Sequence, residues 1–287
     1  MPDLTTLARL REHIPDFPDD DAPYLGHLIT SCSAVVETYC ARTFALTTYD
    51  ELYHGGGKPY LLLNQSPITR VIGVRYGVMP ALFVFCNDNT TFNATVEVNA
   101  TGVTCTRFVG TTVDAHPLLY TTYPTCGALV TAINALGNGW KATLGGNDPF
   151  LNWPTADLAA FSETHGVRYL TCRLNVHRWW LNDYRLNPDV GEIRTVGIFQ
   201  VGYDNYRINY TAGYGATAAL MPADVQDATC EVVRNAYESR RINTNLASES
   251  LGSYSYSAAA KVGFDMLSAS ARRTLNQYRR LTVARYK

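Results

Sequence analysis

The chain has 287 residues, 46% of them hydrophobic and only 17% charged, with a formal net charge of −1. That is enough chain for one large domain or for a core carrying an inserted domain. No run approaches the roughly 18–20 apolar residues of a membrane-spanning helix, and a near-neutral chain does not make a general coat for nucleic acid.

Tyrosine occurs 19 times. A Tyr-rich surface poor in charge suits extensive contact with partners, because Tyr supplies contact area at low entropic cost. It equally suits a β domain built on Thr, Asn and Tyr. The charges are uneven. Residues 1–24 carry Asp3, Glu12, Asp16, Asp19, Asp20 and Asp21 against Arg9 and Arg11. Residues 251–287 carry Lys261, Arg272, Arg273, Arg279, Arg280, Arg285 and Lys287 against Asp265.

In chain order, Leu4, Leu7, Leu10 and Ile14 fall at helical spacing. After Pro15, the acids Asp19–Asp21 are expected to cap a second helix and to favour its dipole. Its apolar positions are Tyr24, Leu25, Leu28, Ile29, Cys32, Val35, Val36, Tyr39 and Cys40, a period of 3.6. Phe44–Tyr53 and Pro59–Leu63 read as two strands of a hairpin around His54-Gly55-Gly56-Gly57-Lys58. Val71–Tyr76 is a further strand.

Residues 78–205 differ in character. Between Gly77 and Tyr123 the charged residues are Asp88, Glu97, Arg107 and Asp114 alone. Strands are expected at Ala81–Cys86, Thr95–Asn99, Val103–Phe108, Leu118–Thr122, Val167–Val176 and Ile193–Val201. Helices are expected at Thr125–Leu136 and, opened by proline, Pro154–Phe161.

Arg207–Thr211 then returns as a strand expected beside Val71–Tyr76. That pairing lets 78–205 leave and re-enter the core at one place, so a short link should replace it. A helix follows Met221-Pro222, with Val225, Thr229, Val232, Val233, Ala236 and Tyr237 on one face. It should pack on the second helix. Residues 241–260 read as extended or mobile, and Asp265–Tyr278 as a last short helix.

Little catalytic chemistry is visible. His54-Gly55-Gly56-Gly57 has the letters of an esterase oxyanion loop, but the Gly-x-Ser-x-Gly elbow is missing. The following Lys58-Pro59 is not the Lys-Ser/Thr of a phosphate loop. The seven cysteines (32, 40, 86, 105, 126, 172 and 230) are odd in number and widely spaced, without Cys-x-x-Cys. They argue against a disulfide framework or zinc site. His177 beside Trp179-Trp180 reads as a packed residue. No cofactor or metal is expected.

The order of short motifs is more specific than any one of them. The second helix runs Leu28-Ile29-x-x-Cys32-Ser33-x-x-Val36-Glu37-x-Tyr39-Cys40-x-Arg42-x-Phe44. Tyr53-x-Gly55, Leu61-x-Leu63 and Ser66-Pro67-Ile68 follow. Later come Ile208-Asn209-Tyr210-Thr211-Ala212-Gly213-Tyr214, Met221-Pro222-Ala223-Asp224-Val225, Glu249-Ser250-Leu251-Gly252-Ser253-Tyr254-Ser255 and Leu275-Asn276-x-Tyr278-Arg279-Arg280. Over 1–77 and 206–287 this run resembles the head–tail connector (adaptor) proteins of tailed bacteriophages, with 78–205 as a large insertion.

The resemblance implies an α+β fold: a helical connector core with a small β element, plus a strand-dominated inserted domain. It implies a structural virion protein without catalysis, made in the host cytoplasm and placed at the head–tail junction. Its partners would be further copies in a ring, usually of twelve, the portal protein above, and a head-completion or tail protein below. Double-stranded DNA would pass through the ring without sequence-specific recognition. No membrane is involved.

Within that reading, 250–287 is a tail that docks on the portal. Tyr254, Tyr256, Phe264, Leu267, Leu275 and Tyr278 would be its anchors, and Arg272, Arg273, Arg279 and Arg280 would pair with portal carboxylates. Asp19, Asp20 and Asp21 are candidates for the rim of a neutral or acidic lumen. An alternative is a carbohydrate- or receptor-binding module in the insert, with Trp140, Trp153, Trp179 and Trp180 as stacking platforms. A hydrolase using the His54 loop comes third.

Overall fold

The structure, a computed structural model, describes residues 3–146, 149–161, 164–239, 248–251, 254–257 and 266–280. The helices are α1 (Leu7–His13), α2 (Ala22–Cys40), α3 (Cys126–Ala135), α4 (Ala223–Ser239) and α5 (Ala269–Asn276). The strands of the first half are β1 (Thr47–Gly55), β2 (Lys58–Leu62), β3 (Ile68–Cys86), β4 (Asn93–Val98), β5 (Gly102–Val109), β6 (Thr112–Leu119) and β7 (Trp140–Leu144). Those of the second are β8 (His165–Gly166), β9 (Cys172–Trp180), β10 (Tyr184–Asn187), β11 (Glu192–Phe199), β12 (Gly202–Ala212), β13 (Ser248–Leu251) and β14 (Tyr254–Ser257). The fold is α+β.

The two ends of the chain build one helical core. Leu25, Ile29, Cys32 and Val36 of α2 meet Val225, Val232, Val233 and Ala236 of α4, as the 3.6-residue pattern requires. Leu28 and Val35 flank that stripe and are half-buried. Leu4, Leu10 and Phe17 close the cluster from the N-terminus, and Leu267, Ala271 and Leu275 from the C-terminus. Asp21 is the residue before α2, yet its side chain does not cap the helix. It accepts the Tyr237 hydroxyl at 2.5 Å, so it ties α2 to α4 instead.

Strand β3 organises the rest. Its first part pairs antiparallel with β12, Tyr76 opposite Tyr206 and Arg70 opposite Thr211, so the expected pairing is present. Further along the same edge it takes β7, and along the other edge β9. Strand β1 lies outside β12. One consequence is a row of aromatic residues across four strands in register: Trp179, Tyr76, Tyr206 and Tyr53.

Several expectations about local structure are corrected. β1 and β2 do not form a hairpin: β1 pairs β12, whereas β2 pairs β11 in the three-stranded sheet β10-β11-β2. Glycines at the end of β1 and in the turn after it serve that crossing, since a Cβ at Gly55 would lie 1.7 Å from the Gln200 carbonyl oxygen and Gly57 has φ +69°. Pro154–Phe161 holds a single 3-10 turn, Thr155–Asp157, rather than a helix. The strand expected at Val167–Val176 starts at Cys172 and runs to Trp180, which leaves Leu170 exposed.

The insert boundaries also move. Position 77/78 lies inside β3. Strands β10 and β11, inside 78–205, pair with β2, and Ile193 and Phe199 share a core with Tyr53, Leu61 and Tyr210. The separate core of the insert is made by β3 from Ala81 onward, β4, β5, α3, β7 and β9, with Trp140, Leu129, Ile133 and Leu174 buried in it. Three of the four charges between 78 and 123 meet there. Arg107, 8% exposed, binds Asp88 at 2.5 Å and Asp114 at 2.7 Å. Hydrogen bonds from Thr91 and Thr90, then Arg107, hold Asp88 well below the usual carboxylate range. A buried cation is tolerated because it is paired.

Candidate assembly surfaces

The expected docking tail divides into parts. Leu267 (3% exposed) and Leu275 (fully buried) sit in the helical core of their own chain. They are therefore corrected from partner anchors to core residues. An eight-residue helix is marginal alone in water, and α5 is held by what it packs on. Tyr278 packs beside Phe44, ring centroids 5.8 Å apart, and donates its hydroxyl to Asp224. Burial and the Asp224 carboxylate push that phenol above its ordinary value.

The last described residues are fixed to the α2 C-terminus. The Arg280 N–H bonds the Cys40 carbonyl at 2.9 Å, and its guanidinium bonds Asn64 Oδ1 at 2.5 Å. Arg42 donates to the Tyr278 carbonyl. Arg272, Arg273 and Arg279 are exposed, Arg279 standing over the Tyr39 ring at 5.6 Å. Tyr254 and Tyr256 lie on β14, which pairs antiparallel with β13. Phe264 lies outside the described residues, as does most of the stretch 241–260 read as extended or mobile.

Of the acidic trio, Asp19 and Asp20 are exposed on the 3-10 turn before α2, Asp19 paired with Arg11, whereas Asp21 is turned to Tyr237. The trio thus does not act as one group.

The tryptophans also divide. Trp140 is 1% exposed and Trp153 packs on the insert core. Trp179 and Trp180 are about half exposed and lie over Gly77 and Gly73 of β3. Arg75 stacks on Trp180 at 4.4 Å and binds Asp157 at 2.5 Å. Its neighbour Arg207 binds Asp50 and the carbonyls of Asp157 and Leu158. These two arginines fasten the 155–157 turn to the sheet.

One surface escaped the sequence reading. Between the Arg194–Tyr60 and Phe199–Lys58 pairs, β11 carries residues 195–198 while β2 carries Pro59 alone. Proline has no N–H to give a ladder, so pairing fails there. The bulge turns Val196 (88% exposed) and Ile198 outward, and Val201 in the turn and Tyr203 at the start of β12 (81% each) follow. The available signal was Gly197 and Gly202 inside an apolar run, which marks a bulge and a turn. Large exposed apolar groups gathered in one place are uncommon on a monomer.

The cysteines, His177 and His54 make structural contacts. All seven cysteines are free and buried, and burial raises the thiols, Cys32 and Cys40 to about 11. Buried His177 bonds the Asp204 carbonyl at 2.8 Å, and burial lowers its basicity. His54 accepts the Asp204 N–H at 2.9 Å and stacks on Tyr203. Among the described residues no group of three or more His, Cys, Asp or Glu could hold a metal ion, and no helix is long and apolar enough to cross a membrane.

No family model matches the chain, and no curated protein does. Solved structures do. A chain in the neck of the native GTA particle, computed with C12 symmetry, is 13% identical, with a TM-score of 0.39. A chain in the neck of the empty GTA particle, computed with C6 symmetry, is 13% identical, with a TM-score of 0.41. A third, in the virion of the native gene transfer agent (GTA) particle, is 12% identical, with a TM-score of 0.40. Each match covers 96% of this chain and 89% of the other.

Proposed function

We propose that the protein is a structural, ring-forming head–tail connector of a tailed-phage-like particle. The observation that carries this reading is the closure of the helical core by the two ends of the chain. Ile29, Cys32, Val36, Cys40 and Phe44 from the first motif-bearing segment share one buried cluster with Met221, Val225 and Leu275 from the second. These are the segments whose order resembles the connector family. The exposed apolar tip on β11 and β12 supports a protein whose surface is covered in an assembly.

In this reading copies form a ring, usually of twelve, at the head–tail junction of the virion. The portal docks above and a head-completion or tail protein below. With α5 fixed to the core, portal docking is assigned to the segment around Tyr254, Tyr256 and Phe264. DNA passes through the ring, and sparse bases offset by acids give the lumen no means of tight phosphate binding.

The test is imaging of the full chain, alone and mixed with the portal protein of the same particle. Closed rings with a central hole are expected. A chain that stays monomeric in both samples overturns the proposal. Half-exposed Trp179 and Trp180 favour a second reading, a carbohydrate- or receptor-binding module. Glycan binding abolished by Trp179→Ala or Trp180→Ala in a monomeric protein would support it instead.

A further inference from the structure

The helical core carries opposite charge on its α1 and α5 faces. Helices α1 and α5 both pack on the α2–α4 pair. Ser33 of α2 and Asp227 and Cys230 of α4 face the N-terminal segment. Tyr39 and Cys40 of α2 and Asp224, Glu231 and Asn235 of α4 face the α5 segment. On the α4 wheel these two sets fall on adjoining arcs, and on α2 Ser33 and Cys40 lie on one stripe two turns apart, so α1 and α5 form separate faces of the core rather than opposite sides.

On the α1 flank Arg9 is taken by Asp227 and Arg11 by Asp19. Glu12, Asp16 and Asp20 remain exposed there. Beside them lies an open cleft of about 370 Å³ whose lining includes Pro15, Asp16, Phe17, Arg234, Tyr237 and Glu238. Phe17 and Tyr237 are buried there, Arg11 stands over the Phe17 ring at 4.7 Å and Glu238 pairs with Arg234, so Asp16 is the exposed carboxylate at its edge. On the α5 flank the nearby acids are occupied: Glu231 accepts Ser270, and Asp224 accepts Tyr278 and Gln277. Arg273 and Arg279 point outward.

We propose that neighbouring copies join through these flanks, the α5 arginines of one copy entering the acidic α1 side of the next. The occupant of this acidic flank is a second copy of this chain, argued from charge complementarity. An interface between two different faces is heterologous, and it makes a ring where its rotation closes and an open filament where it does not. The inference rests on the connector reading and names the surface that would hold the ring together. Exposed ion pairs set register and discriminate between partners more than they add affinity. Assembly should therefore weaken as salt screens them.

The experiment uses two full-length double variants: Arg273→Glu with Arg279→Glu, and Asp16→Lys with Asp20→Lys. Each keeps one native flank and reverses the other. Sedimentation should show each variant alone assembling at least tenfold more weakly than the native chain. An equimolar mixture should regain rings, with the two variants alternating. If the reversed chains lose their native circular dichroism, Arg273→Gln with Arg279→Gln carries the test, weakening assembly without repulsion. Native-like rings from either reversed variant alone, or a mixture that stays small, overturn the flank assignment and leave the ring reading standing. A native chain that forms no ring, even with portal, overturns both.

Discussion

Replacing Leu275 by alanine tests whether the C-terminal helix belongs to the fold or waits for a partner. Leu275 is fully buried, and its carbonyl oxygen accepts the Cys40 thiol. The substitution removes three carbon groups, at roughly 0.8 kcal/mol each. A cavity adds to that cost, and Leu→Ala in cores costs about 2–5 kcal/mol. Leu275 lies in the last turn of an eight-residue helix, where collapse is easy, so the lower half of that range applies. A loss of about 2–3 kcal/mol lowers the melting temperature by roughly 2–4 °C per kcal/mol in a chain near this size, or about 4–12 °C. The assay is thermal unfolding followed by circular dichroism, with Arg273→Ala as the exposed control. If Leu275→Ala melts with that control, α5 is not part of the core, and the expectation of a detachable tail returns. Truncation after Ser250, which removes Leu267, Ala271 and Leu275, should by the same reasoning destabilise the helical core rather than leave it intact.

Val78 and His177 face each other across β3 and β9. A short turn joining them in place of 79–176 should leave a cooperatively folding remainder, whereas excision of 78–205 should not, because it removes Ile193 and Phe199 from the core around Tyr53; equal melting of the two would refute this boundary. Gly77→Ala should cost about 1–3 kcal/mol, since φ is +77° and a Cβ would lie 1.9 Å from the Trp179 ring. Red-shifted tryptophan emission would report the displaced ring, and unchanged emission with unchanged stability would count against it. Burial lowers the basicity of His177, with Arg75 and Arg207 opposing its charge and Asp204 favouring it. Its folded pKa lies below the unfolded value near 6.5, so its contribution is complete above that pH and falls away as pH drops below it. Denaturant midpoints between pH 7 and 5 should fall more steeply for the native chain than for His177→Asn; parallel slopes would exclude this role.

The helices were legible in the sequence because their signal is local. The 3.6-residue spacing from Leu25 to Cys40 and from Val225 to Tyr237 marks a buried stripe whatever lies opposite it, and both stripes meet in the core. Thr125 was readable as a helix start for the same reason, and its hydroxyl does accept the Ala128 N–H. The pairing of Val71–Tyr76 with Arg207–Thr211 followed from the need to bring an insertion back to its point of departure.

What the sequence by itself left open was the choice of partner for the other strands. β1 and β2 are neighbours in the chain, yet β1 takes β12 and β2 takes β11, each more than a hundred residues away. Alternation announces a strand but says nothing of which edge it joins. The same limit governed the C-terminal segment. Leu267, Leu275 and Tyr278 are plainly apolar in sequence, and their composition allowed either a partner's surface or their own core. Only the tertiary structure decides, through the seam that α2 and α4 present to them. Exposure on the β11 bulge was equally hidden, because the break at Pro59 lies on a strand distant in sequence from the side chains it turns outward. Periodicity along one segment reveals that a face is buried, but what buries it is settled by contacts between segments, which no single segment encodes.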